Sequence, residues 1–278
     1  MPRAISTYLF RHTMLGVHVL DQIQRAGFER VEIDCTRSHF DYANTSHVRE
    51  IAEWFADSPM ALHSLHAPLY RGLEGNSPHM VLSIAFLEKQ RRQESMDEIK
   101  RALEVAEHVP FRYFIAHIGM PGEEHDLRKF DAALTSLEHL RLFARQRGVE
   151  ILVENILNDL STPRRLLEFF AHTHMRDLKV CFDSGHAHLD GNVEEALELL
   201  QGSIASTHLH DNGGTKDEHL IPGDGKVPWE KLVRALRDLP NEVAMLLEVR
   251  GGEADATNLA KAAAAAARLE RIWGEAAV

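Results

Sequence analysis

The sequence predicts an α/β protein, a (β/α)8 TIM barrel forming a single domain over residues 1–278. Three observations carry this. Eight short runs rich in Val, Ile, Leu and Phe recur along the chain, mostly apolar on both faces, as suits parallel strands covered by helices. An amphipathic segment of helical spacing follows each run. No Pro/Gly/Ser-rich linker or long charge block divides the 278 residues, and such barrels fill about 250 residues as one domain. The spacing also allows an open doubly wound sheet. The GxGxxG turn that such a sheet uses for a dinucleotide is missing after the first run, and the GxxxxGK[ST] phosphate loop is missing everywhere.

The expected strands are residues 5–10, 31–35, 61–66, 113–118, 151–156, 180–182, 204–208 and 243–249. The first helix, 17–26, stops before Gly27; the second, 46–56, follows a Thr/Ser start. The third, 95–108, carries Met96, Ile99, Leu103 and Ala106 at helical spacing. The fourth, 127–147, ends at Gly148, and the fifth, 163–171, opens with Thr162 as N-cap and Pro163 in its first turn. Segments 193–200, 229–236 and 256–273 complete the set, the alanine run 262–267 being strong helix sequence. The long connection 69–92 is expected to sit above the barrel mouth, partly structured.

Composition narrows the function. With 44% hydrophobic and 26% charged residues the chain is neither disordered nor a disulfide scaffold. Its net charge of −11 and lack of a basic stripe with interleaved aromatics do not favour nucleic acid. The cluster Lys89, Arg91, Arg92 reads as a solvated helix face. No apolar run approaches the ~20 residues that span a bilayer. No secretory signal is expected at the start, and Cys35 and Cys181 read as buried thiols in a reducing, cytoplasmic setting. His is unusually common: 18 His outnumber 17 Gly, and His is the commonest metal ligand.

The histidines and carboxylates fall at strand ends. Six consecutive strands end in His66, His117, Glu154, Asp183 with His186, His208 with His210 and Asp211, and Glu248 with Arg250. Asp217 and His219 follow shortly after strand seven. In this fold, strand C-termini surround the active site. One such residue alone reads as a hydrogen-bonded structural group. Six converging strand ends bring carboxylates together whose repulsion a cation relieves. The mixed His/Asp/Glu set suits Zn²⁺, Mn²⁺ or Fe²⁺, whereas Mg²⁺ prefers fewer imidazoles.

The segments HLHDN…DEHLIPGDGKVPW, VEN, FDSGH and LEVRG resemble the xylose-isomerase-like barrel superfamily, which includes sugar and sugar-phosphate isomerases and epimerases and the family-2 apurinic endonucleases. The resemblance runs from the first strand to the last helix. For an epimerase it implies one metal on Glu154, Asp183, His208 and Glu248. The two glutamates would exchange the substrate's α-proton through an enediolate, and His186 would hold the substrate. For an endonuclease it implies three zinc ions, with His66, His117, His186, Asp217 and His219 as further ligands and Gly223 downstream. The implied cofactor is therefore one to three divalent metal ions.

A metal-dependent isomerase or epimerase is the first reading, with Glu154 and Glu248 as general base and acid. His186, Arg250, His188 and His210 are the candidate substrate contacts. The alternative is a multinuclear-zinc phosphodiesterase or apurinic endonuclease. Those enzymes place a DNA wedge just after the strand-three His; here His66 is followed by Ala67, Pro68 and Leu69, with Tyr70 one place later. A further alternative is a non-catalytic, metal-stabilised ligand-binding barrel. The implied partner is a small sugar or sugar phosphate, a homo-oligomer being allowed by analogy with relatives. Loop 212–216, with Lys216, is either a phosphate cradle or an ordinary Gly-Gly turn.

Overall fold

The computed structural model of the protein describes residues 2–71, 80–252 and 255–275. Eight parallel strands run β1 (Arg3–Ser6), β2 (Arg30–Asp34), β3 (Ala61–His66), β4 (Tyr113–Ala116), β5 (Glu150–Glu154), β6 (Lys179–Asp183), β7 (Ile204–His208) and β8 (Met245–Leu247). Their order in the sheet is β7-β6-β5-β4-β3-β2-β1-β8. A parallel bridge between Leu209 and Leu247 brings the two ends together, with Leu209 N–H donating to Leu246 at 2.8 Å. The (β/α)8 barrel expected from the sequence is the architecture observed.

Around it lie α1 (Val17–Arg25), α2 (Thr45–Asp57), α3 (Lys89–Leu103), α4 (Leu127–Arg145), α5 (Pro163–Thr173), α6 (Ser184–Asp190), α7 (Val193–Leu200), α8 (Trp229–Arg237) and α9 (Asp255–Gly274). None of the described helices is long and apolar enough to cross a membrane. Thr162 caps α5 as expected, accepting from Arg165 N–H, with Pro163 in the first turn. Cys35 and Cys181 are buried free thiols.

The structure differs from the sequence reading where polar side chains override apolar pattern. The first strand ends at Ser6, not residue 10: the Ser6 hydroxyl accepts Tyr8 N–H and turns Thr7–Phe10 into a 3-10 turn. The third helix starts at Lys89 rather than 95, because six polar residues form its outer turns without an apolar stripe. Gln90–Glu94 and Gln93–Asp97 pairs support them. The short helix α6 went unread, since its N-cap is a residue read as a strand end: Asp183 accepts His186 N–H at 2.7 Å. Of the expected connection 69–92, residues 72–79 lie outside the described residues, while Tyr70 bridges Val81 in antiparallel fashion.

Most of the core lies between the barrel's outer face and the helices, packed around residues such as Phe114, Phe130, Phe169 and Phe182. The inner face is less apolar than expected. Tyr113, Ile115, Leu152 and Cys181 fill one side and Ala4, Ala244 and Leu246 another. Between these sides Glu32, Ser64, Ser206 and His208 are fully buried. A buried polar group is tolerated only with partners, and these lead to the mouth.

Candidate metal centre

Strand alternation builds the mouth. Side chains two apart on a strand face the same side. Leu152, Cys181 and Leu246 face inward, so Glu154, Asp183 and Glu248 do too, as His208 does two places after Ser206. These four are buried, and their ligand atoms lie within 4.8 Å of one another. Two further groups gather as closely: His66, His117 and Glu154, and His186, His210, Asp217 and His219. Glu154 belongs to two of the three. Every metal-ligand candidate read from the sequence is thus brought to one end of the barrel, and His210 joins the third group.

Second contacts aim the imidazoles. A backbone carbonyl only accepts, so a ring nitrogen beside one carries the hydrogen. His66 Nδ1 donates to Ala67 at 2.9 Å, His186 Nδ1 to Asn155 at 3.1 Å and His219 Nδ1 to Glu248 at 2.9 Å. In each neutral ring this leaves Nε2 as a lone pair facing its group. His66 Nε2 meets His117 Nε2 at 3.2 Å, and the latter lies 3.1 Å from Glu154 Oε2. His186 Nε2 and His219 Nε2 converge on Asp217 Oδ2 at 3.4 and 3.3 Å. Asn155 clamps β5 to β6, donating to the Asp183 carbonyl and accepting Asp183 N–H.

The residue this reading lacked is Glu32. It is fully buried inside β2, where its carboxylate lies 3.1 Å from His208 Nε2 and accepts the Ser64 hydroxyl at 2.7 Å. With Nε2–H directed at Glu32, His208 presents Nδ1 to Glu154 and Glu248 at 3.3 and 3.6 Å. A carboxylate behind a ligating histidine sets its tautomer and ring orientation. The signal was present in RVEID: a charge in mid-strand on an otherwise buried run.

The loop after β7 is organised by Asp211, which is fully buried. Its Oδ1 accepts Asn212 N–H and Val227 N–H, both at 2.9 Å; its Oδ2 accepts Gly223 N–H and the Trp229 indole, both at 2.7 Å. Asp211 is a loop anchor rather than a member of a donor group. It holds the segment that carries Asp217 and His219, the latter at a left-handed φ of 48°. Gly223 sits at φ 97°, a backbone conformation that L side chains rarely adopt, beside the Arg268 guanidinium. Gly185 packs flat against the His210 ring, leaving no space for a Cβ.

Burial and neighbouring charge act oppositely on these groups. Burial disfavours ionisation of Glu154, but His208 and His117 hold its carboxyl well below the usual range. Glu32 is lowered in the same way, burial being outweighed by His208, His66 and Ser64. Burial pushes Glu248 up to about 7, against the pull of His208 and His219. His66 rises to about 9 because Glu154, Glu248 and Glu32 overcome its burial. Two neighbouring glutamates are thereby driven apart.

Among the described residues, four buried polar atoms in these groups have no hydrogen-bond partner: His117 Nδ1, His208 Nδ1, His210 Nδ1 and Asp217 Oδ1. Orphaned buried atoms are costly. His208 Nδ1, set between two carboxylates and served from behind by Glu32, is what a cation ligand looks like. The His/Asp/Glu donor set fits Zn²⁺, Mn²⁺ or Fe²⁺.

A cleft of about 670 Å³, open solvent included, lies over the groups. Its lining includes Glu154, Glu248 and His186, together with Tyr8, Arg11 and Tyr70. Three sequence candidates for small-molecule contact are not brought to it. Arg250 is exposed, its backbone N–H donating to the His219 carbonyl. His188 faces Gly214, and His210 is fully buried beneath His219, rings stacked at 3.9 Å. Lys216 is exposed, and in loop 212–216 the first three amides are bonded locally, Asn212 N–H to Asp211, Gly213 N–H to Glu218 and Gly214 N–H to Asn212.

Comparison with known proteins places this geometry. An uncharacterized protein of Methanocaldococcus jannaschii is 25% identical over 252 residues, 88% of this chain and 91% of that one. The D-psicose 3-epimerase of Enterocloster bolteae is 21% identical over 241 residues, 82% of this chain and 75% of that one. The structure of the IOLI protein with a binding zinc atom superposes with a TM-score of 0.79 at 18% identity, covering 99% of this chain and 98% of that one. The family described as xylose isomerase-like TIM barrel matches residues 20–272. With most of its length matched, the chain belongs to that family.

Proposed function

We propose that the protein is a divalent-metal-dependent sugar isomerase or epimerase that moves a proton at the carbon beside the substrate's carbonyl. One observation carries this. Of the four donors Glu154, Asp183, His208 and Glu248, the two glutamates also line the open cleft, while Asp183 and His208 do not. A ligand in the cleft therefore meets two carboxylates of this donor group, one from the end of β5 and one just beyond β8. Glu154 takes the proton and Glu248 returns one, or the reverse. Asp183 and His208 hold the floor. A bound divalent ion supplies Lewis-acid polarisation of the carbonyl. The likeness to a D-psicose 3-epimerase agrees with this chemistry.

The three donor groups also favour a second reading, a multinuclear phosphoester hydrolase, because adjoining groups share Glu154. The two readings separate in one pair of assays. Metal-loaded protein is incubated in D2O with a panel of ketoses, and in parallel with an abasic-site duplex. The expected result is deuterium at the sugar's exchangeable carbon and an uncut duplex. Strand cleavage without deuterium incorporation overturns the isomerase reading.

Glu32 acts here as a positioning residue through His208. Glu32→Gln is expected to weaken zinc binding about 10–100-fold, read by competition with a chromophoric chelator. Zinc affinity within about twofold of the unmodified protein would remove Glu32 from this role.

A further inference from the structure

We infer that the substrate carries an anionic group, a phosphate ester or a carboxylate, and that Arg11 receives it. This rests on the isomerase reading and supplies a substrate class for it. Among the described residues lining the cleft, Arg11 is the one Lys or Arg. It follows directly on the Thr7–Phe10 turn, its backbone N–H bonded to the Tyr8 carbonyl at 3.2 Å. Its guanidinium lies over the Tyr8 ring at 4.8 Å, and that ring lies 4.8 Å from the His219 ring. Arg11, Tyr8 and His219 thus stack in a row that ends on the third donor group.

The guanidinium is half-buried, yet no carboxylate among the described residues comes within the 4.0 Å of an ion pair. That is unusual in a cleft lined by Asp34, Glu154, Asp217 and Glu248. An arginine there to neutralise those carboxylates would close on one of them. Instead the Tyr8 side chain holds it, and among the described residues no carboxylate pairs with its planar fork of N–H donors. Such a fork matches two oxygens of a phosphate or carboxylate. The other cations near the barrel mouth, Lys216 and Arg250, and the rest of loop 212–216 are not part of the cleft lining, and the Gly213 and Gly214 amides are bonded to Glu218 and Asn212. A substrate with its carbonyl end between Glu154 and Glu248 and its charged end at Arg11 is oriented by both.

The test uses metal-loaded protein and probe pairs that differ in the anionic group: D-fructose with D-fructose 6-phosphate, D-ribulose with D-ribulose 5-phosphate, and D-glucose with D-glucuronate. Affinity is read by calorimetry, with metal content, deuterium exchange and phosphate release followed in the same samples. The phosphate or carboxylate members are expected to bind about tenfold tighter or more. Arg11→Gln is expected to abolish that preference with metal content unchanged, and Arg11→Lys to keep part of it. No preference in the unmodified protein, an unchanged preference in Arg11→Gln, or loss of metal from that variant each overturns the inference. Deuterium exchange into neutral sugars without anion preference overturns the Arg11 role alone. An Arg11-dependent preference with ester cleavage and no exchange overturns the isomerase reading alone.

Discussion

Glu154→Gln is expected to lower solvent-deuterium exchange at the substrate's α-carbon by about a thousandfold while the barrel stays folded. The Glu154 carboxylate is the common member of two donor groups and lies 3.1 Å from His117, 3.3 Å from His208 and 3.5 Å from His66. An amide keeps the shape and one acceptor oxygen but cannot take up a proton. The strand end is held independently, because Asn155 clamps β5 to β6 through the Asp183 backbone. Circular dichroism should therefore show an unchanged melting transition. Glu248→Gln, which touches one donor group only, supplies the comparison: both variants should lose exchange, and metal content should fall further in Glu154→Gln. Exchange retained in Glu154→Gln, read by NMR, would sink the acid–base assignment.

Asp211→Ala is expected to destabilise the protein by at least about 3 kcal/mol, because it strands four donors at once. The buried carboxylate accepts the N–H groups of Asn212, Gly223 and Val227 and the Trp229 indole. Methyl cannot replace any of these bonds, and each buried orphan costs about 1–3 kcal/mol. The loop it ties carries Asp217 and His219, so the third donor group should loosen in step. Asp211→Asn, which keeps one acceptor oxygen, should lose less. Urea unfolding measures the effect; a loss below about 1 kcal/mol would show that the loop is held by something else.

The elements most readable in the sequence were those with a local signal at an end. Helix α7 follows its N-cap Asn192, and it and strands β3 and β7 begin and end as read. The donors at the mouth were readable for a related reason: a parallel barrel delivers every strand's C-terminus to one end. Polar side chains that act on the backbone hid the rest. Ser6 ends β1 inside an apolar run, and Asp183 starts α6 where a strand end was read. The outer turns of α3 carry no apolar stripe to be read.

Residue types and strand spacing alone determined the barrel and the ring of imidazoles and carboxylates at its mouth, local properties set by the period of each element; the resemblance to a known family singled out Glu154, Asp183, His208 and Glu248 within that ring. Partnership across the barrel was decided only by tertiary structure. Glu32 stands behind His208 although 176 residues separate them, His210 leaves the cleft for the donor cluster, Asp211 becomes a loop anchor, and Arg11 joins the cleft lining. Each depends on which side chains meet when distant strands close into a ring, and on the cost of leaving any buried polar group without a partner.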